Sequence, residues 1–237
     1  VLYSVNADSR CYPASLTKLM TAAVASRYCS SDTVFTVGSE ISLVQFGSSL
    51  AHLEQGQQLN FSAMLDALLL PSGNDAAYVI AARVGRLASG DESLDDTAAV
   101  SYFCNLMNDT AQEIGAVNTH FTNPHGLYGA DHYTTAYDIY LIAKYALSVP
   151  GFQDLVSTTV YTAQYADKHT EPLNFYTTNK MMVKNSDYYY EGLSGIKTGT
   201  LPESSRCFVS TATRNGFTYL LVVLGCPAYD EEEKQLA

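Results

Sequence analysis

The sequence predicts an α+β fold: an antiparallel sheet formed from both chain ends, with a mostly helical lobe inserted between them. Three observations carry this. The chain opens on an extended-looking segment, "VLYSVNADSR". A block of helix-periodic runs follows, punctuated by Pro71, Gly115 and Pro150. The last third turns to β-branched and aromatic runs around Asn215-Gly216. With 237 residues, 47% of them hydrophobic and 16% charged, the chain can close a large core, as one domain or two closely packed lobes.

After the opening strand, Pro13 leads into a helix in which Leu16, Leu19, Met20, Ala23 and Val24 recur at i, i+3, i+4, i+7 and i+8. "FSAMLDALLL", from Phe61, is a second helical run, stopped by Pro71, which lacks the N–H the next turn needs. "SGND" makes a short break, after which Asp75 is expected to cap a helix through "AAYVIAARVG". "DDTAAVSYFCNLMNDTAQEIGA" sets Val100, Phe103, Cys104, Met107, Ala111 and Ile114 on one stripe that ends near Gly115. "TTAYDIYLIAKYALSV" is a further helix, with Thr134 or Thr135 at its cap and Pro150 just past its end. Residues 156–190 are rich in Thr, Tyr and Asn without a clear period, and read as loops and short strands. "GLSGIKTGT" reads as a strand, and a loop with Pro202 follows it. "CFVSTAT", Arg214, "NG" and "FTYLLVVLG" form a hairpin whose Asn215-Gly216 suits a type I′ turn. A cleft is expected where sheet and helical lobe meet.

Bulk properties exclude several function classes. Thirteen basic against 24 acidic residues give a formal charge of −11, and an acidic surface repels phosphate backbones, so no nucleic-acid partner is expected. No apolar run reaches the roughly 18 residues of a membrane span. No basic start followed by an apolar stretch marks a signal peptide. The opening begins as if already inside a strand, and "DEEEKQLA" reads as the first turns of a helix, so the chain is expected to be a domain of a longer protein. The five cysteines Cys11, Cys29, Cys104, Cys207 and Cys226 are scattered and form no CxxC pair, which argues against a disulfide scaffold or a zinc site. Cys104 falls on an apolar helix stripe and reads as core. With a two-residue turn at Asn215-Gly216, Cys207 faces Leu224, and Cys226 becomes a diagonal neighbour about 7–8 Å away. That is at the limit for a disulfide, so no bridge is expected there. His52, His120, His125, His132 and His169 are not spaced as metal ligands. His125, in "NPHGL", is expected to brace a loop by hydrogen bonding rather than to do chemistry. The run Tyr188 to Tyr190 reads as a packed or exposed loop.

Three short motifs carry the chemistry. In Ser15-Leu16-Thr17-Lys18, the hydroxyl and the amine lie three apart on one helix face, within reach of each other. Ser15 sits at the helix start, where free N–H groups and the dipole favour developing negative charge. A serine needs a base, and a lysine serves if burial lowers its pKa from about 10.4. Taken alone, Ser and Lys three apart are common on helices. Ser72-Gly73-Asn74 holds a second hydroxyl and an amide on a short interhelical turn, suited to proton relay and to binding a substrate amide. Turn and cap chemistry would select the same residues. Ser4-Val5-Asn6 also matches Ser-x-Asn, but it precedes the nucleophile candidate and is set aside. Lys197-Thr198-Gly199 ends the strand "GLSGIKTGT". Lys197 brings positive charge, Thr198 a hydroxyl, bare Gly199 close approach, and the Thr200 N–H a possible oxyanion donor. The bland alternative is an edge strand protected by a lysine.

The order SxxK, SxN, KTG, each motif in a plausible setting, is the signature type shared by penicillin-binding proteins and class A β-lactamases. The chain resembles the low-molecular-weight penicillin-binding proteins, in particular the D-alanyl-D-alanine carboxypeptidases of serine peptidase family S11 (penicillin-binding protein 5 type). The resemblance runs from "YSVNADSRCYPASLTKLMTA" through "LLLPSGNDAA" and "TNPHGL" to "GLSGIKTGT" and "CFVSTATRNG". SGN instead of SDN, together with "TNPHGL", favours this family over class A β-lactamases.

The resemblance implies a β-lactamase/transpeptidase-like fold as a single catalytic domain over 1–237. Its sheet part would be about 1–30 and 150–237, and its helical lobe about 31–149. It implies Ser15 as the acylated nucleophile, Lys18 as its base and Ser72 as the relay to the leaving amine. Asn74 would bind the substrate amide, and Lys197, Thr198 and Gly199 the terminal carboxylate end. The N–H groups of Ser15 and Thr200 would form the oxyanion hole. The implied reaction removes the terminal D-Ala of the peptidoglycan stem peptide through an acyl-enzyme, without cofactor or metal, and β-lactams would acylate the same serine. The implied place of work is extracytoplasmic, in a bacterial cell envelope or secreted. The family's additional N-terminal strand, C-terminal β domain and amphipathic anchor are expected to lie outside this chain, as for an excised catalytic domain. The resemblance implies a parent protein membrane-anchored through that missing C-terminal segment. The basic residue some relatives carry after the last strand has no match in "CPAYDEEEK".

Two alternatives remain. A class A β-lactamase needs a deacylating glutamate in an ExxLN-like setting, and neither Glu113 ("EIGAV") nor Glu171 ("EPLNF") has that context. A penicillin-sensing or wall-binding domain would keep the same motifs with little turnover.

Overall fold

A computed structural model describes residues 1–163 and 172–227. After Cys11, a short 3₁₀ turn over Ala14–Leu16 runs directly into α1 (Thr17–Ala25). All nine residues of α1 are buried, so this helix is the centre of the molecule and not an amphipathic surface element. Leu16, Leu19, Met20 and Val24 are each fully buried, worth about 2 kcal/mol apiece in apolar transfer. Two three-residue strands, β1 (Val34–Thr36) and β2 (Gln58–Asn60), pair antiparallel and lead into α2 (Phe61–Leu69). The Asn60 side chain caps α2 by accepting the Ala63 N–H. Then come α3 (Asn74–Ser89), α4 (Asp96–Glu113) and α5 (Ala136–Leu147). Asp95 caps α4, and Thr135, of the two threonines expected, caps α5. The stripe of α4 packs inward as its period requires: Val100, Phe103, Cys104, Met107 and Ala111 are buried.

Beyond α6 (Phe152–Ser157), strands β3 (Val160–Ala163) and β4 (Leu173–Tyr176) form a second short ladder. The main sheet is the antiparallel set β5 (Leu193–Leu201), β6 (Ser205–Arg214) and β7 (Phe217–Cys226), in that order. Arg214 pairs with Phe217, and Asn215 and Gly216 both have positive φ (51° and 80°), the geometry of a I′ hairpin. The architecture is α+β, antiparallel sheets beside a helical lobe.

Four expectations need correction or fall elsewhere. The opening segment is not a strand. Val1, Leu2 and Tyr3 are 85–89% exposed, and the chain turns at Asn6, whose carbonyl accepts the Ser9 N–H. A strand needs a ladder partner, and the first β-bridge along the chain is Cys11 with Thr134. Asp75 does not cap α3. Gly73 holds the cap position, and the Asp75 carboxylate instead accepts the N–H groups of Ala51 and Leu53, tying a distant loop to the helix start. The β6–β7 register shifts between Arg206 and Phe208, so Cys226 pairs with Arg206 and not one place further along. Gly225, at φ 68°, supplies the extra residue. Cys207 is buried and Cys226 exposed, and all five cysteines are free thiols. The expected C-terminal helix, His169 and Glu171 lie outside the described residues.

Two buried histidines brace the region around the end of the 3₁₀ turn. The Nδ1 of His132 accepts the Thr122 N–H at 3.0 Å, so its Nε2–H donates to Thr17 Oγ1 at 2.8 Å. Likewise the Nδ1 of His125 accepts the Leu127 N–H, and its Nε2–H donates to the Tyr78 hydroxyl at 2.9 Å. Burial holds His132 down at about 3, and burial, with smaller contributions from the neighbouring Lys18 and His132, holds His125 well below its ordinary 6.5. A proton on either Nδ1 would face a backbone N–H. Below pH 6.5 the unfolded chain therefore takes up two protons that the folded chain refuses, and stability falls with pH. Buried Asp66, raised to about 7, acts in the opposite sense between 3.8 and 7 but is one group against two. The urea midpoint is expected to drop steadily from pH 6.5 to pH 4. A flat or rising midpoint across that range would contradict the assignment of both rings as neutral.

Candidate active site

Ser15 lies in the 3₁₀ turn between Pro13 and α1, and Ala14 before it takes a positive φ of 48°. That left-handed backbone on a non-glycine residue costs about 1 kcal/mol and turns the chain sharply. One helical turn on, Lys18 is fully buried. Its Nζ lies 3.2 Å from Ser15 Oγ, 2.7 Å from Asn74 Oδ1 and 2.9 Å from the His125 carbonyl oxygen. Burial is the largest influence on this amine and pushes its pKa well below 10.5; Lys197 adds to the depression and Asp75 opposes it. A neutral amine has two N–H bonds and one lone pair. Asn74 Oδ1 and the His125 carbonyl can only accept, so they take the two N–H bonds. The lone pair then faces the one partner that can donate, the Ser15 hydroxyl.

The second motif stands at the start of α3. Ser72 adopts φ 63°, and its Oγ is buried without a hydrogen-bond partner. A buried hydroxyl left unsatisfied costs about 1–3 kcal/mol and marks a group waiting for a partner. Asn74 is held from behind, its N–H donating to the Ser49 carbonyl.

The third motif comes from β5. Gly199 lies against the nucleophile turn: a Cβ built on it would sit 3.0 Å from Ala14 Cβ and 3.1 Å from the Ser15 backbone nitrogen. A side chain here would push the nucleophile turn back by a few tenths of an ångström, so bare glycine suits this close approach. Lys197 is buried, and burial lowers it to about 7. Its Nζ donates to the Thr198 carbonyl at 3.1 Å. The Thr198 hydroxyl pairs with that of Thr178 at 2.5 Å. Thr200 follows Gly199 on the exposed side of the strand.

Ser15, Lys18 and Asn74 are thus joined by direct hydrogen bonds, and Gly199 abuts the same turn. Lys197 is close enough to depress Lys18. Ser72 makes no hydrogen bond to the others. Three contributors carry no sequence signal as site residues: the His125 carbonyl, the Ser49 carbonyl and Thr178. The His125 ring braces its loop, as its motif setting predicts, while its backbone serves Lys18. Glu113 ends α4 on the surface, ion-paired with Arg27 at 2.9 Å. Tyr188, Tyr189 and Tyr190 are exposed, with Lys180 over the Tyr188 ring and Arg214 donating to the Tyr190 hydroxyl. Among the described residues, no group of three or more His, Cys, Asp or Glu side chains is assembled to hold a metal ion.

The family model of the D-alanyl-D-alanine carboxypeptidases, peptidase S11, matches residues 1–228. This chain belongs to that family. Among family relatives, it is 31% identical to the D-alanyl-D-alanine carboxypeptidase DacF of Bacillus subtilis over 245 residues, covering all of this chain and 57% of the relative. It is 34% identical to the D-alanyl-D-alanine carboxypeptidase of Streptomyces sp. strain K15, covering 98% of this chain and 78% of the relative. The crystal structure of the Streptomyces K15 DD-transpeptidase superposes with a TM-score of 0.85 at 33% identity, over 96% of this chain and 85% of that one. Against several S11 relatives, DacF among them, the chain spans a little over half of their length.

Proposed function

We propose that this chain is the catalytic domain of a serine D,D-carboxypeptidase that removes the terminal D-Ala from peptidoglycan stem peptides through an acyl-enzyme. One observation carries the reading: the fully buried Lys18 amine, with two pure acceptors on its N–H bonds, presents its lone pair to Ser15 Oγ. Lys18 takes the serine proton as Oγ attacks the carbonyl between the two D-Ala residues. The tetrahedral oxyanion falls to the N–H groups of Ser15 and Thr200; Gly199, next to Thr200, lies against the Ser15 turn. Ser72, its hydroxyl otherwise unpartnered, gives its proton to the leaving amine and takes one from the protonated Lys18, which returns to the neutral base. Asn74 holds the substrate amide, and Lys197 and Thr198 hold the terminal carboxylate. Water then releases the acyl group. β-Lactams acylate the same serine and leave it slowly, because neither Glu113, ion-paired at the surface, nor Glu171 has the ExxLN-like setting of a deacylating base. The domain works outside the cytoplasm on the cell wall.

A second reading differs only in the acceptor. The Streptomyces K15 relative is described both as a carboxypeptidase and as a DD-transpeptidase. An amine in place of water at the acyl-enzyme would make this domain a transpeptidase.

The test is a time course of intact mass with benzylpenicillin, followed by peptide mapping. A long-lived adduct on Ser15, absent in Ser15→Ala, is expected. Repeated release of D-Ala from a stem-peptide mimic would exclude a sensor, and transfer to an added amine would identify a transpeptidase. Rapid consumption of penicillin without an adduct would instead mean a β-lactamase.

A further inference from the structure

Thr178 connects the chain just ahead of Ser72 with strand β5. Its backbone N–H donates to the carbonyl of Leu70, two residues ahead of Ser72, at 3.1 Å. Its hydroxyl meets that of Thr198, on β5, at 2.5 Å. The next residue fastens the turn to the same strand: buried Asn179 donates from Nδ2 to the Gly195 carbonyl at 2.9 Å and accepts the Met181 N–H on Oδ1. Thr178 is therefore held at a fixed height beside Thr198 by its own backbone bond to Leu70 and by the Asn179 side-chain bond to Gly195, although it is itself exposed.

Two hydroxyls in contact hold two protons between them and use one in their mutual bond. The other is left for a ligand. A carboxylate only accepts, so its arrival selects one arrangement: Thr178 O–H donates to Thr198 Oγ1, and Thr198 O–H donates to the carboxylate. Each bond in such a chain polarises the next. Without the Thr178 hydroxyl, the Thr198 rotor is free and its proton can turn away from the ligand.

We infer that Thr178 is a positioning residue for recognition of the substrate's terminal carboxylate, acting through Thr198. This rests on the reading that Thr198 meets that carboxylate. The Thr, Tyr and Asn bias around Thr178 gives no sequence signal for such a role.

The experiment compares acylation of the full chain by benzylpenicillin and by its methyl ester, which lacks the carboxylate, using intact mass to obtain both rate constants. The wild-type chain is expected to prefer the acid. Thr178→Val, close in shape but without the hydroxyl, should shrink that acid-to-ester ratio about tenfold, the scale of one hydrogen bond to a charged group. The ester rate should stay near wild type, and Thr178→Ser should restore the ratio. Thr198→Val is the internal reference and should shrink the ratio at least as much. If Thr198→Val shrinks it and Thr178→Val does not, the inference fails while the function stands. Equal loss of both rates in Thr178→Val would mark a structural role and likewise overturn it. If Thr198→Val leaves the ratio unchanged, the carboxylate reading falls and takes the Thr178 role with it. A wild-type chain acylated by neither compound would sink the proposed function itself.

Discussion

Lys18→Ala is expected to slow acylation by benzylpenicillin about a thousandfold, within the range for loss of a general base. Ser15 and the cleft should stay in place. The expectation follows from hydrogen-bond capacity around one atom. Nζ has three partners, and two of them, Asn74 Oδ1 and the His125 carbonyl, cannot donate. A charged ammonium would satisfy all three but leave no lone pair for the serine. Full burial and the nearby Lys197 both disfavour that charge. The alanine variant loses the base and leaves two buried acceptors without a donor, at about 1–3 kcal/mol each. It also removes the desolvation of a buried amine, so its thermal midpoint should move less than its rate. Lys18→Arg separates a base from a mere positive charge, because a guanidinium does not deprotonate in proteins. If arginine restored a near-normal acylation rate, or alanine left the rate unchanged, Lys18 would not be the base.

Much of this site was legible because its side chains come in short runs. Ser15 and Lys18 needed only helix spacing, and Asn74 and Gly199 needed only a turn and a strand end. What the residues could not show is how those runs meet. Lys18 sits on a helix buried on every side, so no polar face announces whether its amine is wet or dry. The His125 and Ser49 carbonyls are backbone atoms, identical in every residue type. Asp75 looks like a cap because it stands at a helix start, yet its carboxylate is claimed by Ala51 and Leu53, more than twenty positions away. In the fold, the long periodic elements, the Thr135 cap and the Asn215-Gly216 turn were readable. The three-residue strands β1 and β2 are too short to show a period, and α6, with six residues, barely completes a turn and a half. Gly225 near the end of "FTYLLVVLG" was a readable sign of a bulge, and it shifts the register beside Cys207.

The second large effect is structural and reaches the site through a glycine. Gly126 has φ 98°, and a Cβ built on it would lie 1.9 Å from the Ala14 carbonyl oxygen and 2.8 Å from Thr17 Oγ1. Those atoms flank Ser15 on either side, while the neighbouring His125 carbonyl holds Lys18. Gly126→Ala must therefore strain its own backbone by about 1–2 kcal/mol and also force the histidine loop away from the nucleophile turn. The combined loss is expected to reach about 3–5 kcal/mol, with acylation falling sharply in whatever fraction remains folded. Gly56 isolates the two contributions. Its φ of 94° is nearly the same, but nothing lies within 4 Å of its built Cβ. Gly56→Ala should show the backbone strain alone, a loss of about 1–2 kcal/mol, with the acylation rate of the folded protein unchanged. Urea denaturation and penicillin acylation on both variants read the difference. If the two alanines cost the same, the contact between Gly126 and Ala14 does not hold the loop, and the placement of the His125 carbonyl on Lys18 needs another cause. If only Gly126→Ala collapses stability and acylation together, then the nucleophile turn and the loop that orients its base form one packed unit.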